Sequence, residues 1–138
     1  MPVNRPEPTL FRMNTWLDRA PVIVGVGEIT LRRKNAARAM EPLAMMAAAL
    51  RAAAQDAGES VLALLDYLDV VRASSWPNVD VLFQLSCMLG IAAARRVYGQ
   101  VGGETPLHFI HEAALRIWRG ESTAAAVVGA ENPYAAAV

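Results

Sequence analysis

The stretch from Val101 to Asn132 limits what this chain can fold into more than any other. A glycine turn (V-G-G-E-T-P), a helical run closed by Gly120 and a small-residue strand ending G-A-E-N follow one another without a break. Thr105 offers a capping hydroxyl, Pro106 suits a first helical position because its missing N–H has no bond to make there, and Gly120 suits a left-handed stop. These signals predict a helix from Pro106 to Arg119. Leu107, Ile110, Ala114 and Ile117 recur at helical spacing and predict its buried face, with Glu112, Arg116 and Arg119 on the other side.

The preceding chain repeats the same alternation. Pro21 to Val26 (P-V-I-V-G-V) is a short apolar run without polar alternation, which predicts a strand covered on both faces and central in a parallel sheet. Pro42 opens a helix in which Leu43, Met46, Ala47, Leu50, Ala54 and Ala57 form one stripe and Gly58 is the stop. Its reverse side carries Ala44, Ala48 and Ala52, small enough for a second element to pack closely. Leu68 to Ala73 predicts the next strand. Asn78 is a candidate cap for a helix running to Leu89, with Leu82, Leu85 and Leu89 inside and Gly90 as its stop. Ala92 to Val101 predicts a third strand, and the adjacent Arg95 and Arg96 place it at a sheet edge. Thr123 to Val128 predicts a fourth, interior in character. Strand and helix alternating in this way indicate an α/β fold with an open, mainly parallel sheet and flanking helices.

Two segments stand apart. Residues 1–20 hold three prolines and mixed charge beside Leu10, Phe11, Trp16 and Leu17, and read as an irregular arm ahead of a domain spanning 21–138. Leu31 to Arg38 carries Arg32, Arg33, Lys34 and Arg38, a basic cluster that reads as a solvated loop or as a contact for a phosphate such as one on coenzyme A. Gly25-Val26-Gly27 does not complete a dinucleotide fingerprint, because the third glycine would fall at Thr30 and no helix follows at once.

Composition excludes several partners. Thirteen basic residues balance thirteen acidic ones, so no net field draws in a nucleic acid or an anionic membrane. The single Cys87 rules out an internal disulfide, and its mid-helix place predicts an inert packing residue. Charges scattered through the first twenty residues do not fit a signal peptide, which predicts a cytoplasmic protein. The richest apolar run, Pro42 to Ala54, is interrupted by Arg51 and too short for the ~20 residues of a membrane span.

Candidate site residues cluster at the ends of the last unit. His108, His111 and Glu112 (H-F-I-H-E) miss the H-E-x-x-H and H-x-x-E-H orders in which two histidines converge on a metal, so no metal is expected. His111 is expected at the core edge, while His108 is one turn from Glu112. Glu104 lies at the helix entrance, where the dipole favours a negative charge, and Thr105 borders the same turn. Glu131 and Asn132 follow the fourth strand at its carboxyl end, where ligands bind in open α/β sheets, and are the candidate substrate-binding residues.

The glycine turn, the helix ending I-x-x-G-E, the apolar strand and the closing G-A-E-N resemble the N-terminal half of the thiolase superfamily, over most of the chain from Pro21 onward. In that family a C-x-S-G motif opens the helix and its cysteine carries the acyl group. Counting back from Ile117 and Gly120, those positions are Gly103, Glu104, Thr105 and Pro106, so the nucleophile position is occupied by glycine. The resemblance implies a relative of acyl-CoA acyltransferases with coenzyme A thioesters as substrates, no covalently bound cofactor, and no covalent acyl-enzyme. The resemblance implies that Glu104 and Thr105 border the acyl pocket, and these two with His108 are the candidate catalytic residues. It further implies that site histidines and an acid/base cysteine come from a second half or a partner chain, and that two copies pair through Ala92 to Val101. Two functions are open on this reading. One is an acyl-CoA acyltransferase or lyase completed by other residues, and the other is a non-catalytic thiolase-like subunit that assembles with a partner.

Overall fold

The computed structural model describes residues 17–31, 40–76 and 80–135. The elements are a 3-10 turn at Leu17–Arg19, helices α1 (Pro42–Ala57) and α2 (Val61–Leu64), strand β1 (Tyr67–Val70), α3 (Val81–Leu89), β2 (Arg95–Tyr98), α4 (Thr105–Trp118) and β3 (Ala125–Val128). The three strands form one parallel sheet in the order β2-β1-β3. Tyr67 pairs with Arg95 on one side and Ala125 on the other, and this register holds through Val70, Tyr98 and Val128. The fold is α/β with helices flanking a parallel sheet.

Alternation along β1 divides the layers. Leu68 and Val70 are fully buried in a core shared with Met46, Ala47 and Leu50 of α1 and Val81 and Leu85 of α3. Arg51 donates to the Met88 carbonyl at 3.2 Å and ties α1 to α3. Tyr67 and Asp69 point to the opposite face, where Arg116 of α4 meets both. Helix α1 spans the segment read from its stripe, Pro42 to Ala57, with Pro42 in the first turn and Gly58 after its end. Helix α4 is followed, after Arg119, by Gly120, whose φ of 73° is the left-handed value that a side chain would resist.

The largest departure from the sequence reading is Pro21 to Val26, which is not a strand of the sheet. The central strand is β1, buried at all four positions. The 21–27 segment lies instead along α1. A Cβ at Gly25 would overlap the Ala53 carbonyl oxygen and one at Gly27 the Ala49 carbonyl oxygen, so only glycine allows so close an approach to the small-residue side of the helix. The Val26 N–H donates to Asp56 Oδ2 at 3.0 Å. Val22, Ile23, Val24 and Val26 remain exposed.

Of three smaller corrections, the first two share one cause, which is that periodicity fixes a stripe but not the side the fold turns inward. Helix α4 buries Phe109 and Ala113, not the Leu107 stripe; Leu107 is 71% exposed. Cys87 is exposed, because α3 turns Val81, Leu85 and Ser86 inward and position 87 lies well round the helix from Leu85. β3, read as interior, is an edge strand with no neighbour beyond it among the described residues. The basic cluster at Arg32, Arg33, Lys34 and Arg38, the Asn78 cap and most of the N-terminal arm lie outside the described residues; α3 begins after Asp80.

Candidate functional site

The entrance of α4 is built by a turn in which the Thr105 N–H donates to the Gly102 carbonyl at 3.2 Å and the His108 N–H to the Glu104 carbonyl at 3.0 Å. The helix therefore starts at Thr105 itself, with Glu104 in the cap position and no side-chain cap bond. Thr105 does not cap as read from sequence. Its hydroxyl oxygen folds back over the turn, 3.0 Å from where a Gly102 Cβ would be. Gly103 is exposed, and a Cβ built on it meets nothing within 4 Å. Glu104 and His108 are exposed at the same entrance, the His108 ring 6.3 Å from that of Phe109. His111 is exposed and does not take the core-edge place expected of it. Among the described residues no group of three or more His, Cys, Asp or Glu side chains could hold a metal ion.

Glu131 and Asn132 leave β3 at the carboxyl end of the sheet, as their sequence position predicts, and both are engaged in fastening loops. The Glu131 carboxylate accepts from the Ser74 N–H, from the Ser75 N–H at 3.3 Å and from the Ser75 hydroxyl at 2.6 Å. This joins the loop after β3 to the loop after β1. Partial desolvation raises the Glu131 pKa, but the bonds from Ser75 and Ser74 outweigh it and hold the carboxyl below its ordinary value. The buried Asn132 donates its amide to the Met40 carbonyl at 2.8 Å and accepts the Tyr134 N–H at 3.2 Å.

The entrance and the β3 exit meet at one cavity of about 910 Å³, whose lining includes Gly102, Gly103, Arg72 and Glu131. Its walls are otherwise mostly aliphatic, from the 21–27 segment, α1, α4 and the length of β3. A mostly apolar hollow with a few polar groups at one end suits a ligand with an apolar body.

The sequence reading passed over a buried ionic cluster on the α4 face of the sheet. Asp69 is fully buried in mid-strand and paired with Arg116, whose guanidinium also lies 4.1 Å over the Tyr67 ring. Arg95 approaches the same ring at 5.6 Å. Among the described residues Asp69 Oδ1 and Arg116 Nε have no hydrogen-bond partner. Burial raises the Asp69 pKa most, the hydrogen bond and charge of Arg116 pull it down, Glu112 adds to the rise, and the net direction is upward. A lone acid inside the apolar run L-D-V-V was the available signal.

Comparison with known proteins places this geometry in context. No protein-family model matches the chain. No curated protein matches it either. Among solved structures it is similar to a monomeric SCP2-thiolase-like protein type 1 from Mycobacterium smegmatis, with 30% identity and a TM-score of 0.68 over 83% of this chain. The chain spans 24% of that protein's length. The fold of this chain is thiolase-like.

Proposed function

We propose that the chain is a thiolase-like protein related to acyl-CoA acyltransferases that takes a coenzyme A thioester at the α4 entrance without forming a covalent acyl-enzyme, its site completed by a second half or partner chain. The observation that carries this reading is Gly103. The position has open space around it and faces the cavity, yet holds no nucleophile. What the entrance retains is non-covalent. The first turn of α4 presents the positive end of a helix dipole without a side-chain cap, which favours a developing oxyanion, and the exposed Glu104 carboxylate beside it is a group that can accept or return a proton.

A second reading, a non-catalytic subunit, is favoured by the other candidates. Glu131 and Asn132 already hold the loops together, which leaves few free polar groups for a substrate. On either reading, two copies meet through β2, an edge strand with exposed Arg95, Arg96 and Val97.

Calorimetric titration with acetyl-CoA, followed by intact-protein mass measurement, separates these possibilities. Binding without an adduct is the expected result. Absence of binding by a folded chain supports the subunit reading. A stable stoichiometric adduct overturns the non-covalent assignment, and its disappearance in Cys87→Ser would assign the nucleophile to the chain's single thiol.

A further inference from the structure

We infer that residues 21–26 are a strap that swings from α1 onto the open edge of β3, where they pair as a parallel strand and fill the cavity that opens at the α4 entrance.

The backbone of both segments asks for this pairing. The Val71 N–H donates to the Val128 carbonyl and the Tyr67 N–H to the Ala124 carbonyl, so alternate residues of β3 turn their peptide groups toward β1. Ala125, Val127 and Gly129 therefore turn theirs the other way, and among the described residues no strand pairs with them. A row of unpaired N–H and C=O groups at strand spacing is a template for another strand. The 21–26 run lines the same cavity as β3 and belongs to no strand among the described residues.

The direction of the run is already the one that a parallel strand needs. Arg19 lies beside Gly120, its Nη1 3.5 Å from where a Gly120 Cβ would be, so the strap starts close to the end of the sheet where β3 begins. Gly25 then sits against Ala53 and Ala57, and Gly27 against Ala49 and Ala53, which makes the strap antiparallel to α1. Asn132, just past the carboxyl end of β3, donates to the carbonyl of Met40, just ahead of α1, so α1 runs back from that end of the sheet. The strap and β3 therefore point the same way.

Side-chain chemistry fits the second seat better than the first. Ala49 and Ala53 of α1 and Ile110, Ala114 and Ile117 of α4 line the cavity, and these helices cover opposite faces of the sheet. A strand between two helix layers requires apolar side chains on both faces, and P-V-I-V-G-V has no charge and no polar alternation. In the seat along α1, Val22, Ile23, Val24 and Val26 are 59–77% exposed. Pairing with β3 takes these side chains and the α4 stripe out of water together. What holds the strap on α1 is the bond from the Val26 N–H to Asp56 Oδ2 and the close approach that Gly25 and Gly27 allow. A strap seated on β3 occupies the space of an apolar ligand, so it regulates access to the cavity. That consequence rests on the proposed use of the α4 entrance; the strand pairing does not.

The test is residue-resolved amide hydrogen exchange on the full chain. Gly25→Ala places a Cβ against the Ala53 carbonyl oxygen and drives the strap off α1. It is expected to slow exchange at Ala125, Val127 and Gly129 at least tenfold relative to the native chain, together with alternate amides between Val22 and Val26, and to leave Leu68 and Val70 unchanged. Asp56→Ala, at an exposed position, removes the tether without crowding the helix and is expected to slow the same amides several-fold, so the result does not depend on Gly25→Ala folding. Adding Val24→Asp puts a charge on a strand covered from both sides and is expected to return either variant to native rates. Native rates in Asp56→Ala and in folded Gly25→Ala overturn the proposal. Slowing at β3 that grows with protein concentration assigns the edge to a second copy and overturns it as well. None of these readouts involves coenzyme A, so a chain that fails to bind acetyl-CoA loses the entrance reading and keeps the strap, and unchanged exchange does the reverse.

Discussion

Asp69 and Arg116 show what a single pair contributes when it is taken out of water. Replacing Arg116 with methionine keeps its aliphatic bulk over Tyr67 but leaves a fully buried carboxylate without its counter-charge, a loss of about 3–5 kcal/mol at neutral pH by urea denaturation. Adding Asp69→Leu to Arg116→Met is expected to restore most of it, because the pair is then replaced by apolar volume. The pH dependence follows from the raised pKa. The folded state holds the Asp69 proton at pH values where the unfolded chain, near 3.8, has released it. The contribution of this group to stability is therefore largest below 3.8 and is lost as pH rises through the folded value, and the penalty of Arg116→Met shrinks in acid. Glu131 runs the other way. Its folded pKa is depressed, so its contribution is full above the ordinary 4.5 and is lost as pH falls through the folded value. Glu131→Gln should flatten that acid limb, measured as the unfolding midpoint between pH 3 and 7. At the helix entrance, Gly103→Cys in a Cys87→Ser background is expected to fold normally, since the site is open and φ is not positive. Its thiol should react with iodoacetamide several-fold faster than Cys87 of the native chain, because a helix N-terminus lowers a thiol pKa.

At the scale of elements, the two edges of the sheet differ in what they offer. Arg95 and Gly99 of the β2 segment donate their N–H groups to the Asp66 and Val70 carbonyls, at 3.1 and 2.8 Å. By alternation Val97 also faces β1, while Arg96 and Tyr98 face outward. Proline at Val97 would therefore break the sheet itself, and the informative substitution is Arg96→Pro. If two copies pair through β2, sedimentation should show Arg96→Pro shifted to monomer with its circular dichroism unchanged, whereas Val97→Pro should lose folded signal. An Arg96→Pro variant that self-associates as strongly as the native chain removes β2 as the interface. β3 is held to β1 by carboxylates at both ends. Asp66 accepts the Ser122 hydroxyl and the Thr123 N–H at one end, and Glu131 takes the Ser74 and Ser75 groups at the other. Between them, β1 and β3 meet through their ladder and through small or β-branched side chains.

Much of the architecture was legible beforehand for a local reason. Helix α1 from Pro42 to Ala57, the stops at Gly58, Gly90 and Gly120, and an edge strand marked by Arg95 and Arg96 depend on propensity, capping and periodicity, which act over one or two turns of chain. The sequence by itself also determined the α/β class and the glycine at the helix entrance. Only the tertiary structure decided which strand is central, because Pro21 to Val26 and Tyr67 to Val70 are both short, largely apolar runs and, among the described residues, only β1 has a strand on each side. It decided which face of α4 turns inward, because Arg116 is drawn to a carboxylate 47 positions away in sequence, and a helical pattern carries no information about that partner. It also decided that Glu131 and Asn132 hold loops, because a side chain's hydrogen bonds depend on which distant backbone groups the fold brings within reach.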